Sequence, residues 1–159
     1  MSYEPIVQKF RSSDVLKFRS PPQPLNLPTS HMKVNNFEEL QIWQMANALC
    51  VKIYRITKVG EFKYDSRFVQ QIRSSCGSVM DNIAEGFERQ GNKEFKNFLY
   101  IAKGSAGETR SQIIRAHNVG FIDDDEFRDL YADCIKLSSS INAFIQTIKS
   151  TDYKGTRYS

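Results

Sequence analysis

The chain has 159 residues, 40% of them hydrophobic and 25% charged, which is the composition of a globular domain long enough to bury one core. The formal net charge is +4, and no apolar run approaches the roughly 18 residues that a membrane span requires. Spanning segments are thereby excluded, no membrane partner is expected, and a cytoplasmic location is.

Residues 1–32 form a leader that holds all five prolines (Pro5, Pro21, Pro22, Pro24 and Pro28) and none of the eight glycines. Ser20-Pro21-Pro22-Gln23-Pro24 favours polyproline II over helix. The leader has no apolar h-region of a secretory signal. Ser30-His31-Met32 resembles a cloning junction followed by a start methionine, so residues 1–31 read as an upstream or cloning-derived extension. The folded body is expected over 33–149, followed by a basic flexible tail over 150–159.

The body reads as four helices. The first is predicted to open at Asn36, with Glu39 as its capping-box partner, and to stop at Gly60. Its stripe is Phe37, Leu40, Trp43, Ala46, Leu49, Cys50, Ile53 and Tyr54, spaced three and four apart. The second starts near Asp65 or Ser66, and its stripe is Phe68, Ile72, Cys76, Val79, Ile83 and Phe87. The third, capped by Asn92, carries Phe95, Phe98, Leu99, Ala102, Ala106, Ile113 and Ala116 and ends at Gly120. The fourth opens on a second capping box, Asp123 with Glu126. Its apolar seam is Phe127, Leu130, Cys134, Leu137, Ile141, Phe144 and Ile148. No segment alternates as a strand does. The prediction is an all-α protein, an antiparallel up-down-up-down four-helix bundle.

Several apolar residues fall outside these stripes: Ile42, Met45, Val51, Val69, Met80, Ile101, Ile114, Ile135 and Ile145. A monomeric bundle needs about three apolar positions in seven, so the surplus points to a homo-oligomer. Gly77, Gly86, Gly104 and Gly107 lie inside helical patterns at about 1 kcal/mol each relative to alanine, which predicts a close crossing of the second and third helices. Asn82 with Glu85, and Ser105 with Glu108, are each spaced i, i+3 and are expected to form a structural polar network where those helices meet.

Charge is distributed unevenly. The leader and the residues from Lys149 to Ser159 each carry +2, residues 63–115 carry nine basic against six acidic side chains, and residues 121–148 carry two against six. The basic candidates for a nucleic-acid contact are Arg67, Arg73, Arg89, Lys93, Lys96, Lys103, Arg110 and Arg115. Most aromatics fall on core stripes, so base stacking is expected to contribute little. Cys50, Cys76 and Cys134 lie on the stripes and read as core packing. No catalytic residues, metal ligands or cofactor are predicted. The histidines, His31 and His117, lack the Glu three residues before them that a di-iron bundle uses, and no HExxH, GxxxxGK[ST] or GxSxG occurs. His117 is expected to cap a helix end or to be exposed.

Phe37-Glu38-Glu39-Leu40 with Trp43 and Ala46, then Gln71-Ile72-Arg73 with Ser75, then Asn82-Ile83-Ala84-Glu85-Gly86 with Arg89, then Gly104-Ser105 with Glu108, form an ordered set of motifs. This set resembles the four-helix-bundle family named for proteins encoded in intervening sequences of bacterial 23S ribosomal RNA genes. The resemblance covers about residues 36–148. It implies a bundle, often assembled as a ring of five subunits, without established enzymatic activity. It also implies a likeness to the accessory variability determinant proteins of diversity-generating retroelements, which bind nucleic acid and a reverse transcriptase. The expected function is therefore a non-catalytic oligomer that binds RNA or DNA through the second and third helices. The alternative is an interaction scaffold or reverse-transcriptase accessory that does not touch nucleic acid.

Overall fold

The computed structural model describes residues 34–89 and 91–150, so the leader and all of the tail except Ser150, which is the last residue of a helix, lie outside the described residues. Four long helices account for most of them: α1 (Gln41–Ile56), α2 (Ser66–Glu88), α3 (Asn92–Asn118) and α4 (Asp124–Ser150). No strand occurs among the described residues, and none of the described helices is long and apolar enough to cross a membrane.

The core is the meeting of the predicted stripes. Leu49 and Ile53 of α1, Ile72, Cys76, Val79 and Ile83 of α2, Leu99, Ala102 and Ile113 of α3, and Leu130, Cys134, Leu137 and Ile141 of α4 are all buried. Two residues assigned off the stripes, Ile42 and Ile145, are buried as well. Each lies one position from a stripe residue or four from one, so the buried face of its helix is wider than a single seam. Met45, Val69 and Met80 pack against the core edge. Val51, Ile101 and Ile135 remain exposed.

The first helix begins later and ends earlier than its pattern suggested. Phe37–Glu39 forms a 3-10 turn, and Leu40, whose backbone is extended, precedes α1. The Asn36–Glu39 pairing does form, with the Asn36 side chain and the Asn35 N–H both donating to the Glu39 carboxylate, but it closes the 3-10 turn and not α1. At the other end α1 stops at Ile56, and Gly60, at φ +65°, opens a second 3-10 turn, Gly60–Tyr64. That turn drops Phe62 into the core against Phe68 and Phe121, with ring centroids 5.7 and 5.1 Å away.

The other boundaries follow local chemistry. Asp65 accepts from the Phe68 N–H at 2.9 Å and caps α2. Gly91, not Asn92, is the N-cap of α3. Gly120 ends the α3 segment at φ +77°, a conformation that costs glycine nothing. Asp123 accepts from the N–H groups of Asp125 and Glu126 while its own N–H donates to Glu126, as the capping box predicts.

Among the described residues the α2–α3 contact is the most extensive, but it uses one of its four glycines. A Cβ on Gly86 would lie 2.6 Å from Phe98 Cβ and 2.9 Å from Phe95 Cδ2. Gly77, Gly104 and Gly107 have open space where a Cβ would stand, which corrects the expectation of a crossing built on all four. The crossing is close where α2 ends, and elsewhere it runs through short polar side chains. Polar side chains link α4 to both of its neighbours. Lys52 of α1 donates to Asp129 at 2.6 Å and to Asp133 at 2.7 Å. His117 near the end of α3 contacts Asp124 at 2.7 Å while its ring stacks on Phe127. His117 is thus a clamp between the end of α3 and the start of α4, and not a simple cap.

Candidate functional site

The polar residues between α2 and α3 form a chain that overlaps the predicted one only in part. Asn82 donates to the Ser78 carbonyl at 2.7 Å and to Ser78 Oγ at 3.1 Å, and Ser78 and Ser105 hydroxyls meet at 3.0 Å. Thr109 donates within reach of the Ser105 carbonyl and of Ser75 Oγ, and Ser75 donates to Gln112 Oε1 at 2.6 Å. Gln112 Nε2 then reaches Glu108 at 3.4 Å. Glu85 stands apart, since its carboxylate takes two bonds from Arg89 on the surface. The buried members Ser75, Thr109 and Gln112 are absent from the sequence prediction. Every member is hydrogen-bonded, as buried polar groups must be, and the chain fixes the register of two helices.

The eight basic candidates do not share one face. Arg67 and Arg115 meet around a shallow depression with Phe68 and Gln71. There Arg115 donates to Gln71 at 3.0 Å and lies 3.9 Å over the Phe68 ring. Arg89 sits at the far end of α2, paired with Glu85 and 4.9 Å over Phe98. Lys93 is exposed, and Lys96 and Arg110 are half-buried. Lys103 is tied to Asn142 of α4 at 2.8 Å.

Arg73 belongs to a different place, a groove of about 690 Å³ between α1 and α2 lined by Tyr54, Thr57, Lys63, Gly77 and Asp81 among others. Its guanidinium donates from Nε to Thr57 Oγ1 at 2.8 Å and from Nη2 to the Thr57 carbonyl at 3.2 Å. A cation is thereby set at the last turn of α1, where free carbonyls and the helix dipole favour it. The same guanidinium lies 4.6 Å over the Tyr54 ring, and Lys63 lies 4.8 Å over Tyr64. Tyr54 is 43% exposed and Tyr64 75%, so the surface does carry aromatic rings, contrary to the expectation that the stripes would absorb them.

The surrounding sequence is strongly basic. Residues 51–73 hold Lys52, Arg55, Lys58, Lys63, Arg67 and Arg73 against Glu61 and Asp65. Lys63, Tyr54 and Tyr64 were missed by sequence reasoning. A charge window opened at residue 51 would have added Lys52, Arg55 and Lys58, but charge carries no signal for the two tyrosines. Among the described residues no group of three or more His, Cys, Asp or Glu is placed to hold a metal ion.

The sequence profile described as 23S rRNA-intervening sequence protein matches residues 38–143. Among solved structures, the chain is similar to a Bacteroides thetaiotaomicron protein with unknown function from the S23 ribosomal protein family. The two share 20% identity at a TM-score of 0.61, over 66% of this chain and 95% of that one. At that identity the likeness speaks for the fold. No curated protein matches the chain.

Proposed function

Because the chain belongs to the 23S rRNA-intervening sequence protein family, we propose that it is a non-catalytic helical protein that binds single-stranded nucleic acid along the groove between α1 and α2. The observation that carries this reading is the pairing of cations with exposed rings: Arg73 over Tyr54 and Lys63 over Tyr64. Cations neutralise phosphates and release counterions, and exposed rings stack on bases without regard to sequence. Arg67 and Arg115 extend the basic surface around the start of α2. The helices run up-down-up-down as an antiparallel bundle. This arrangement is supported by contacts that run in opposite order along α2 and α3: Gly86 beside Phe98, Ser78 with Ser105, Ser75 with Thr109, and Gln71 with Arg115.

The protein assembles as a homo-oligomeric ring, a pentamer. Support comes from Val51, Ile101 and Ile135, which are apolar and exposed. Repetition around a ring would multiply the field of each groove. Light scattering is expected to give five times the 18.3 kDa subunit mass.

The binding test is fluorescence anisotropy with a labelled single-stranded RNA and its DNA counterpart. Affinity is expected to fall steeply between about 50 and 200 mM salt. Lys63→Glu with Arg67→Glu should abolish binding, and Tyr64→Ala should weaken it about tenfold. No binding at low salt, or binding lost only on removal of residues 1–32 and 150–159, would overturn the groove reading. The scaffold or reverse-transcriptase accessory role would then take its place.

A further inference from the structure

Two of the three buried thiols meet. Cys50 of α1 and Cys76 of α2 are both free and bring their sulphurs to 3.0 Å, while Cys134 lies on α4. Core packing accounts for a single buried cysteine. It does not by itself call for two thiols aimed at one another from separate helices.

We propose that Cys50 and Cys76 are a modification site, a reversible disulfide formed with a peroxide as the oxidant, which fastens α1 to α2. A disulfide bond is about 2.05 Å long, so the sulphurs need close by only about 1 Å. Cys50 is 9% exposed and Cys76 1%, so Cys50 is the residue nearer to solvent and the first that a small oxidant would meet. The chemistry divides in the same sense. A hydrogen bond from Cys76 draws the Cys50 thiol below its ordinary range, against burial and the Asp81 charge. That same bond, together with burial, pushes the Cys76 thiol up.

The Cys50 thiolate attacks one oxygen of hydrogen peroxide, breaking the O–O bond. This gives a sulfenic acid, and the departing hydroxide takes up a proton to become water. Cys76 then attacks the Cys50 sulphur, and the sulfenic oxygen leaves as a second water with the Cys76 proton. The two thiols lose two electrons and two protons between them, and one peroxide becomes two waters. A dithiol reductant reverses the bond by exchange.

The site lies under the groove wall, since Cys50 is one turn before Tyr54 and Cys76 is beside Gly77. The proposal does not depend on what the groove binds. The bond would close a 26-residue separation in sequence and restrict the unfolded chain, raising the melting temperature by about 10 °C.

The test uses the full chain, first reduced and then treated with one equivalent of hydrogen peroxide. Free thiols counted in denaturant should fall from three to one, with the mass lowered by two hydrogens and no change in oligomer size. Peptide mapping should find Cys50 joined to Cys76, and dithiothreitol should restore all three thiols. Cys134→Ser should cross-link in the same way, and Cys50→Ser should not. Because Cys50→Ser could fail to fold, the mapping of the parent chain decides independently. Three thiols remaining, oxygen added without a cross-link, a bond through Cys134, or an oxidised form that melts no higher than the reduced one would each overturn the proposal.

Discussion

Replacing Gly86 by alanine adds one methyl group where α2 meets α3, and the geometry sets its cost. The new Cβ would stand 2.6 Å from Phe98 Cβ, against the 3.5–4.0 Å at which carbon atoms ordinarily rest. Phe98 Cβ is bonded to its own backbone, so no rotamer change moves it away, and the helices must separate by about 1 Å. Overpacking of this kind costs about 1–3 kcal/mol, and a rigid contact belongs at the upper end. Alanine returns about 1 kcal/mol through helix propensity, leaving a net loss of about 2 kcal/mol. In a body of this size that lowers the melting temperature by about 6–10 °C. Gly104→Ala is the internal control. It meets nothing within 4 Å, so propensity alone should raise the melting temperature by a few degrees. Thermal melts followed by circular dichroism read both. A Gly86→Ala protein that melts at or above the parent would show that the helices do not approach there. A Gly104→Ala protein that melts lower and scatters as a smaller species would place that glycine in a contact between subunits.

Thr109→Val keeps the shape but deletes the hydroxyl that reaches Ser75 and the Ser105 carbonyl, and urea unfolding should show a loss of about 1 kcal/mol. Lys52→Met breaks the link to Asp129 and Asp133, whose side chains are partly solvated, so the loss should stay below about 1 kcal/mol and shrink further in high salt. Hydrogen bonds to Asp129 and then Asp133 hold the Lys52 ammonium above its ordinary range. Its contribution is therefore full below the usual lysine pKa, about 10.4, and is lost as pH rises through the raised value. At the other extreme, the hydrogen bond from His117, with Arg128 adding to it, holds the Asp124 carboxyl below its ordinary range. That contribution is present above about pH 4 and is lost as pH falls through the lowered value, so Asp124→Asn should flatten the acid limb of the melting curve against pH.

The sequence made the helices legible wherever burial was continuous. The spacing of Phe68, Ile72, Cys76, Val79 and Ile83, and of Leu130, Cys134, Leu137 and Ile141, gives the core faces of α2 and α4 directly. Gly120 marks the end of α3 and the Asp123–Glu126 box the start of α4, because each acts through its own backbone. The glycines could not be sorted in this way. A helical glycine reads alike whether another helix or solvent stands opposite, and Gly86 and Gly104 differ only in that. Ser75, Thr109 and Gln112 escaped notice because they are polar, although Ser75 continues the stripe between Ile72 and Val79. Tyr54 fits the α1 stripe by spacing, yet the groove opens beside it and leaves its ring at the surface. Pairings such as Cys50 with Cys76, or Lys52 with Asp129 and Asp133, join residues far apart in sequence, and helical periodicity carries no information on which helix lies beside which.

The dominance of the α2–α3 contact also orders events in time. These two helices are joined by the short segment from Arg89 to Gly91, and their largest shared surface forms at the smallest cost in loop closure. The pairing of α1 with α4 spans the longest stretch of chain, so its closure waits on the rest. Perturbations at Gly86 or Thr109 should accordingly slow refolding, whereas loss of the Lys52 link should leave refolding unchanged and speed unfolding. The α2–α3 seam then sets how fast the chain folds, while the Lys52–Asp129–Asp133 link, at less than about 1 kcal/mol, adjusts how long it stays folded by no more than about fivefold.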